Sequence, residues 1–302
     1  MAGAVARKDV GAATHAATSE LDLVDELEKL FVSLANLPTV HRSNLMQSSS
    51  PSAMGNKVPL ITLWFWIIKI MATTVGETAA DFLNFNLGLG LTKTSGIMAA
   101  LLVLSLIIQI AARDYVPWKY WIAVVFLSVF GTLVTDNLSD NYGVSLITTT
   151  TVFSLGLAVI FIAWYVSEKT LSIHSIFTRR RELFYWAAIL LTFALGTAAG
   201  DLVAEKLQFG YALSALMFGG AIALVTFAYY KLGLSAVWAF WIAYVLTRPF
   251  GASCGDLLSQ DTKDGGLGLG TVGTSALFLL VILGLVSWLT LSRKDRDTAA
   301  PH

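Results

Sequence analysis

Seven carboxylates fall within, or at the edge of, apolar stretches where acids are costly: Glu77, Asp81, Asp136, Asp140, Asp201, Glu205 and Asp256. A charged Asp costs roughly 2.5–3.5 kcal/mol at the centre of a membrane helix on insertion scales. Most come in pairs four residues apart, Glu77/Asp81, Asp136/Asp140 and Asp201/Glu205, and Asp256 has Gln260 in the matching place. Residues at that spacing share one helix face. Clustered carboxylates can share a proton. Oxygen ligands without His or Cys suit hard cations such as Mg²⁺, Ca²⁺ or Mn²⁺, and Asp81, Asp136, Asp201 and Asp256 are the candidate metal ligands. A cation/proton exchanger would use the same groups for both tasks. The bland alternative is structural: each Asp accepts hydrogen bonds from a neighbouring helix or caps the loop that follows.

Two basic residues accompany the acids. Lys69 stands eight residues before Glu77, and Arg248 eight before Asp256 in "LTRPFGASCGD". Either they pair with acids on adjacent helices, or they are internal counter-charges that occupy the acids when no substrate is bound. Pro249 is expected to disturb its helix by removing a backbone hydrogen bond.

The acids belong to a repeat. Trp66, Trp121, Trp186 and Trp241 each follow an aromatic residue (Phe65, Tyr120, Tyr185, Phe240). Ten residues after each Trp comes Gly76, Gly131, Gly196 or Gly251, and five after each Gly comes Asp81, Asp136, Asp201 or Asp256. The pattern aromatic-W-x9-G-x4-D thus occurs four times without a slip. The Trp spacings of 55, 65 and 55 indicate a two-helix unit doubled, then doubled again. The Trp and Gly residues read as repeat packing: small residues let membrane helices approach closely. The alternative for the glycines is a narrow path to the acids. "TTTTV" from Thr148 either bonds its own backbone or lines an entrance.

Eight apolar runs near 59–83, 95–112, 118–138, 147–167, 183–204, 211–230, 234–255 and 271–292 approach the roughly 20 residues that cross a bilayer. Backbone groups in lipid must bond internally, so the runs are expected to be helices. The fold class is therefore an all-α integral membrane protein of four parallel two-helix repeats, near 58–112, 113–167, 178–232 and 233–292, within a membrane domain of 57–293. Residues 1–56 form an N-terminal extension, in which Leu23, Val24, Leu27, Leu30, Phe31 and Leu34 make one apolar face of a helix near 20–35. That stripe docks on protein or lipid, or supports a homo-oligomer. Residues 294–302 form a tail.

Lys57, Arg113, Lys119, Lys169, Arg179, Arg180, Arg181, Lys231, Arg293, Lys294 and Arg296 lie near one set of helix ends, against Lys93, Lys206 and Lys263 near the other. The positive-inside rule then puts both termini in the cytoplasm. Trp to Asp is 15 residues, about 22 Å of helix, so each Asp is expected in the outer part of the membrane.

The chain resembles the bacterial multi-pass membrane proteins built of four tandem repeats of unknown function, each with two transmembrane segments and a characteristic Trp. Trp66, Trp121, Trp186, Trp241, "VGETAADFLNFNLGLGLT" and "LGTAAGDLVAEKL" carry the resemblance, which covers residues 58–292. It implies the architecture and a bacterial inner membrane, and brings no activity or site.

Composition agrees: 56% of the 302 residues are hydrophobic and 13% charged, where soluble domains carry about 25% charge. Net charge is zero, which gives no sign of a nucleic-acid partner. No His lies in an apolar run, no Ser/His or Cys/His set is present, and the Gly-rich loops lack the Gly-Lys-Ser/Thr end of a phosphate loop, so an enzyme is not expected. No cofactor is expected beyond a transported divalent cation. The partners are then the lipid bilayer and a small cation or proton. Two functions remain: a transporter or exporter of a small inorganic cation, proton-coupled through the carboxylates, or a non-transport scaffold or sensor whose carboxylates are structural.

Overall fold

The computed structural model describes residues 55–295, without the side chain of Phe85. The amphipathic stripe near 20–35 lies outside the described residues. Among the described residues there are eight long helices and no strand. They are α1 (Leu63–Asp81), α2 (Leu91–Ala111), α3 (Pro117–Asp136), α4 (Leu146–Glu168), α5 (Arg179–Asp201), α6 (Gly210–Leu232), α7 (Ala236–Ser259) and α8 (Gly270–Ser292).

The local sequence explains the ends. Thr62, Ser145, Thr178 and Ser235 cap α1, α4, α5 and α7, each accepting a hydrogen bond from a backbone N–H three residues on. Gly233, with φ of 73°, ends α6 in the left-handed conformation that favours glycine. Thr149 and Thr151 donate to the carbonyls of Ser145 and Ile147, so these hydroxyls of "TTTTV" satisfy their own backbone. The helix of α7 runs through Pro249 without a break.

The odd-numbered helices form a closed ring. α1 packs on α3, α3 on α5, α5 on α7, and α7 back on α1. The even-numbered helices sheathe it, each lying mainly on the inner helix that follows in the chain: α2 on α3, α4 on α5, α6 on α7, and α8 on α1. The sequence repeat is therefore not the packing unit. One unit leaves its outer helix unpartnered, and only the fourth can cover the first.

Six helical segments are long and apolar enough to cross a membrane: Leu91–Ala111, Pro117–Asn141, Leu146–Glu168, Arg179–Lys206, Gly210–Leu232 and Gly270–Ser292. α1 and α7, which carry Lys69, Glu77, Arg248 and Asp256, are more polar and sit in the inner ring. The sheath helices turn apolar side chains outward, as Leu155, Val159 and Ile162 of α4 do.

Two layers tie the ring together. At its basic end Trp66, Trp121, Trp186 and Trp241 are all buried. Each meets the aromatic of the unit before it: Phe65 with Trp121 at 5.7 Å between ring centroids, Tyr120 with Trp186 at 5.5 Å, Tyr185 with Trp241 at 6.2 Å, and Phe240 with Trp66 at 5.8 Å. Such pairs contribute about 0.5–1.5 kcal/mol beyond the area they bury. Halfway along, each repeat Gly faces the residue three before the next repeat Gly. Gly76 meets Ser128, Gly131 meets Phe193, Gly196 meets Arg248, and Gly251 meets Thr73. A Cβ here would collide with its neighbour. Close approach lets Thr74 donate to the Gly251 carbonyl at 3.0 Å and Thr135 to that of Ala194 at 3.0 Å, across adjacent helices.

A Cβ at Gly131 would stand 2.7 Å from Phe193 Cβ and 3.2 Å from the Ala194 nitrogen. Gly131→Ala should therefore destabilise the protein by about 1–3 kcal/mol through overpacking. Gly220→Ala on α6, where nothing lies within 4 Å, should be neutral or slightly stabilising. Thermal unfolding of the two variants in detergent checks the contrast.

Candidate functional site

The repeat Asp marks the point where each inner helix changes. Asp81, Asp136 and Asp201 end the α-helical stretch, and a single π-helical turn follows each: Phe82–Asn86, Asn137–Asn141 and Leu202–Lys206. Such turns widen the helix and recur at functional sites. The fourth unit has no such turn, and α7 continues to Ser259.

All seven sequence-selected acids line one cavity of about 340 Å³ at the acidic end of the ring. Asn84, Ser139, Tyr211, Leu146 and Gln260 complete its wall. The acids form tiers. Glu77 is buried at 7% exposure and Asp256 at 9%; Asp81, Asp136 and Asp201 are half-buried, and Asp140 and Glu205 are exposed at the mouth. Gln260 Nε2 donates to Asp81 Oδ2 at 3.2 Å, bridging the fourth unit to the first. Asp136, Asp201 and Asp256 make no side-chain hydrogen bond or ion pair among the described residues. No three His, Cys, Asp or Glu side chains among those residues form a ready metal cluster.

Arg248 closes the floor. Its guanidinium is fully buried and reaches all three other inner helices. It donates to the Thr73 carbonyl at 2.8 Å, to Glu77 Oε2 at 3.1 Å, to Thr197 Oγ1 at 2.7 Å, to Thr132 Oγ1, and to the Phe193 carbonyl at 3.4 Å. Thr132 also donates to Glu77 Oε2 at 3.3 Å. Glu77, Thr132 and Thr197 each follow a repeat Gly, so they are one position in three units; the fourth holds Ala252. Arg248 likewise shares a position with Thr73, Ser128 and Phe193. Arg248 thus pairs with an acid on an adjacent helix, Glu77 of α1.

Lys69 lies elsewhere. It is buried, its Nζ has no hydrogen-bond partner, and it stands over the rings of Phe193 at 4.6 Å and Tyr244 at 4.4 Å. The same Phe193 ring also lies near Arg248, whose guanidinium carbon is 5.6 Å from its centroid. Further toward the basic end, the Tyr120 and Tyr185 hydroxyls bond at 2.5 Å within the aromatic collar. The axis therefore runs from an open acidic vestibule, through Arg248, Phe193 and Lys69, to a packed collar.

Sequence reasoning missed Asn84, Ser139 and Tyr211. The first two stand three residues after a repeat Asp, a register that was there to be read; Tyr211 reaches the vestibule from α6 and carries no such signal. It also missed the buried pair of Lys57 and Glu182 at 2.6 Å, in which Lys57 further donates to the Ile110 carbonyl at 2.9 Å.

An all-helical fold of the described residues, with several bilayer-length apolar helices around a polar axis, is that of a multi-pass membrane protein. Family comparison matches residues 64–115, 119–170, 184–234 and 239–295 to the Repeat of Unknown Function (DUF347), and the chain belongs to that family as four tandem copies. No curated protein and no solved structure matches it.

Removing one partner of a buried ion pair leaves an uncompensated charge, at a cost of about 3–5 kcal/mol. Glu77→Ala should therefore destabilise strongly, and the double change Glu77→Ala/Arg248→Met should cost less than the sum of the two single changes. A double-mutant cycle on unfolding in detergent reads the coupling between them.

Proposed function

We propose that this protein is a transporter or exporter of a small inorganic cation, a hard divalent ion such as Mn²⁺, Mg²⁺ or Ca²⁺, coupled to protons through its carboxylates. One observation carries the reading: seven acids from four units meet in a single open vestibule. Four copies of an acid used only to brace their own helices have no reason to share a cavity. Asp136, Asp201 and Asp256, without polar partners, leave their oxygens for a ligand. An ion in a space of about 340 Å³ keeps part of its water shell, as Mg²⁺ commonly does. The ion is cargo, and no resident cofactor is invoked.

In this reading all eight helices span the inner membrane of a bacterial cell. α1 and α7 are too polar to face lipid, and the sheath shields them. The excess of Lys and Arg at the collar end supports cytoplasmic termini, with the vestibule facing outward. Arg248 holds Glu77 until a cation in the vestibule competes for it.

Purified protein in liposomes should move Mn²⁺ or protons. Asp81→Asn, Asp136→Asn, Asp201→Asn and Asp256→Asn should each lower the flux about tenfold, equivalent to about 1.4 kcal/mol, while remaining folded. Folded Asn variants with unchanged flux would remove the acids from the mechanism. No flux of any ion tested would favour a scaffold or sensor with structural carboxylates.

A further inference from the structure

The outer surface of the sheath carries a groove at the basic end. Between α2 and α3, Leu101, Leu104 and Ile108 face Trp118, Ile122 and Phe126 across a hollow of about 120 Å³. On each helix these residues are three or four apart, so they share one face. Leu104 is 55% exposed and Trp118 45%, so the groove opens sideways, away from the ring axis. Ser105 also lines it, but its hydroxyl donates to the Leu102 carbonyl at 2.8 Å. The wall is therefore apolar in effect. Lys119 is the one charged residue along it, and its Nζ stands 5.5 Å from the Trp118 ring centroid. The same position, two before the repeat Trp, holds Trp64, Phe184 and Ala239 in the other units. An apolar residue serves the collar three times out of four, so packing of the collar gives no reason for an ammonium here.

The groove has the dimensions of one leaflet. From Leu101 to the end of α2 at Ala111 is ten residues, about 15 Å of helix. That is half of a hydrocarbon core of about 30 Å. Lys119 lies at the other end, in the first turn of α3, beside a Trp of the kind that marks the headgroup level. We infer that this groove holds one anionic glycerophospholipid, with an acyl chain between α2 and α3 and its phosphate on Lys119. Charge complementarity selects the headgroup. An ammonium at the mouth of an apolar slot meets a phosphate that ends an apolar chain, and basic pockets between membrane helices bind anionic headgroups in this way. A zwitterionic lipid brings its own cation to the same place and gains less. The short link between the helices adds Arg113 and Asp114, both exposed, which offset each other. The site rests on the membrane-spanning fold and is independent of the cation reading of the vestibule.

The test is native mass spectrometry of the full chain in detergent, titrated with phosphatidylglycerol or with phosphatidylcholine of the same acyl chains. The first bound phosphatidylglycerol should be held about fivefold more tightly than the first phosphatidylcholine, the size expected of one basic residue at the headgroup level. Lys119→Ala, which installs the residue of the fourth unit, should remove that preference; Lys119→Gln serves if the alanine variant fails to fold. Lys231→Ala, which removes an exposed charge at the end of α6, should leave the preference intact. Ile108→Trp fills the groove from a half-exposed position and should lower retention of phosphatidylglycerol several-fold with the lysine still present. Equal retention of the two lipids by the unaltered protein overturns the inference. So does a preference that survives Lys119→Ala, which places the anionic lipid elsewhere. A preference lost in Lys119→Ala but untouched by Ile108→Trp overturns the seating of the chain in the groove.

Discussion

One guanidinium ties the ring together. Arg248 extends from α7 into the space where α1, α3 and α5 converge, and spends its donors on Thr73, Glu77, Thr132, Phe193 and Thr197. The guanidinium is fully buried, so its acceptors must be close, and they are close because the repeat glycines let the helices touch. Gly196 faces the stem of Arg248 itself. The position of the floor, the size of the vestibule above it and the isolation of Lys69 below it all follow from where this charge is held.

The repeat divides labour by layer. Residues the four units share, the Trp, Gly and Asp, build the collar, the close contacts and the acidic ring. Residues in which they differ face the axis. Thr73, Ser128, Phe193 and Arg248 are one position with four chemistries, and Glu77, Thr132, Thr197 and Ala252 are another. A strictly fourfold axis with four arginines, or four glutamates, would carry like charges within a few ångströms of one another. A single Arg facing a single Glu and two hydroxyls satisfies the same space with little net charge. The duplicated scaffold thus made an asymmetric axis possible at no cost to the packing around it.

Much of this was legible in the chain. Aromatic-W-x9-G-x4-D gave four units and set the four Asp at one level along the inner helices, because helical rise converts spacing into height. The choice of neighbours was not legible. Nothing in the periodicity says that α8 covers α1, or that each outer helix belongs with the inner helix after it. The pairing of Glu77 with Asp81 was read as equivalent to Asp136 with Asp140. By height it is not: Glu77 is one turn deeper, in the layer of Thr132 and Thr197, and it meets Arg248. Lys69 and Arg248 looked alike by sequence, each eight residues before an acid, yet the fold gives one a carboxylate and the other two aromatic rings. Spacing along a helix sets height and leaves open what stands opposite, which depends on helices far away in the chain.

The central claim is that the four repeat Asp residues and their neighbours form one cation site. The most direct measurement is a crystal structure of the protein grown with Mn²⁺, with the metal located by its anomalous scattering. The account predicts a peak inside the vestibule, among Asp81, Asp136, Asp201 and Asp256 and above Arg248. Saturating Mn²⁺ with no peak there, or with peaks only outside the ring, would contradict it.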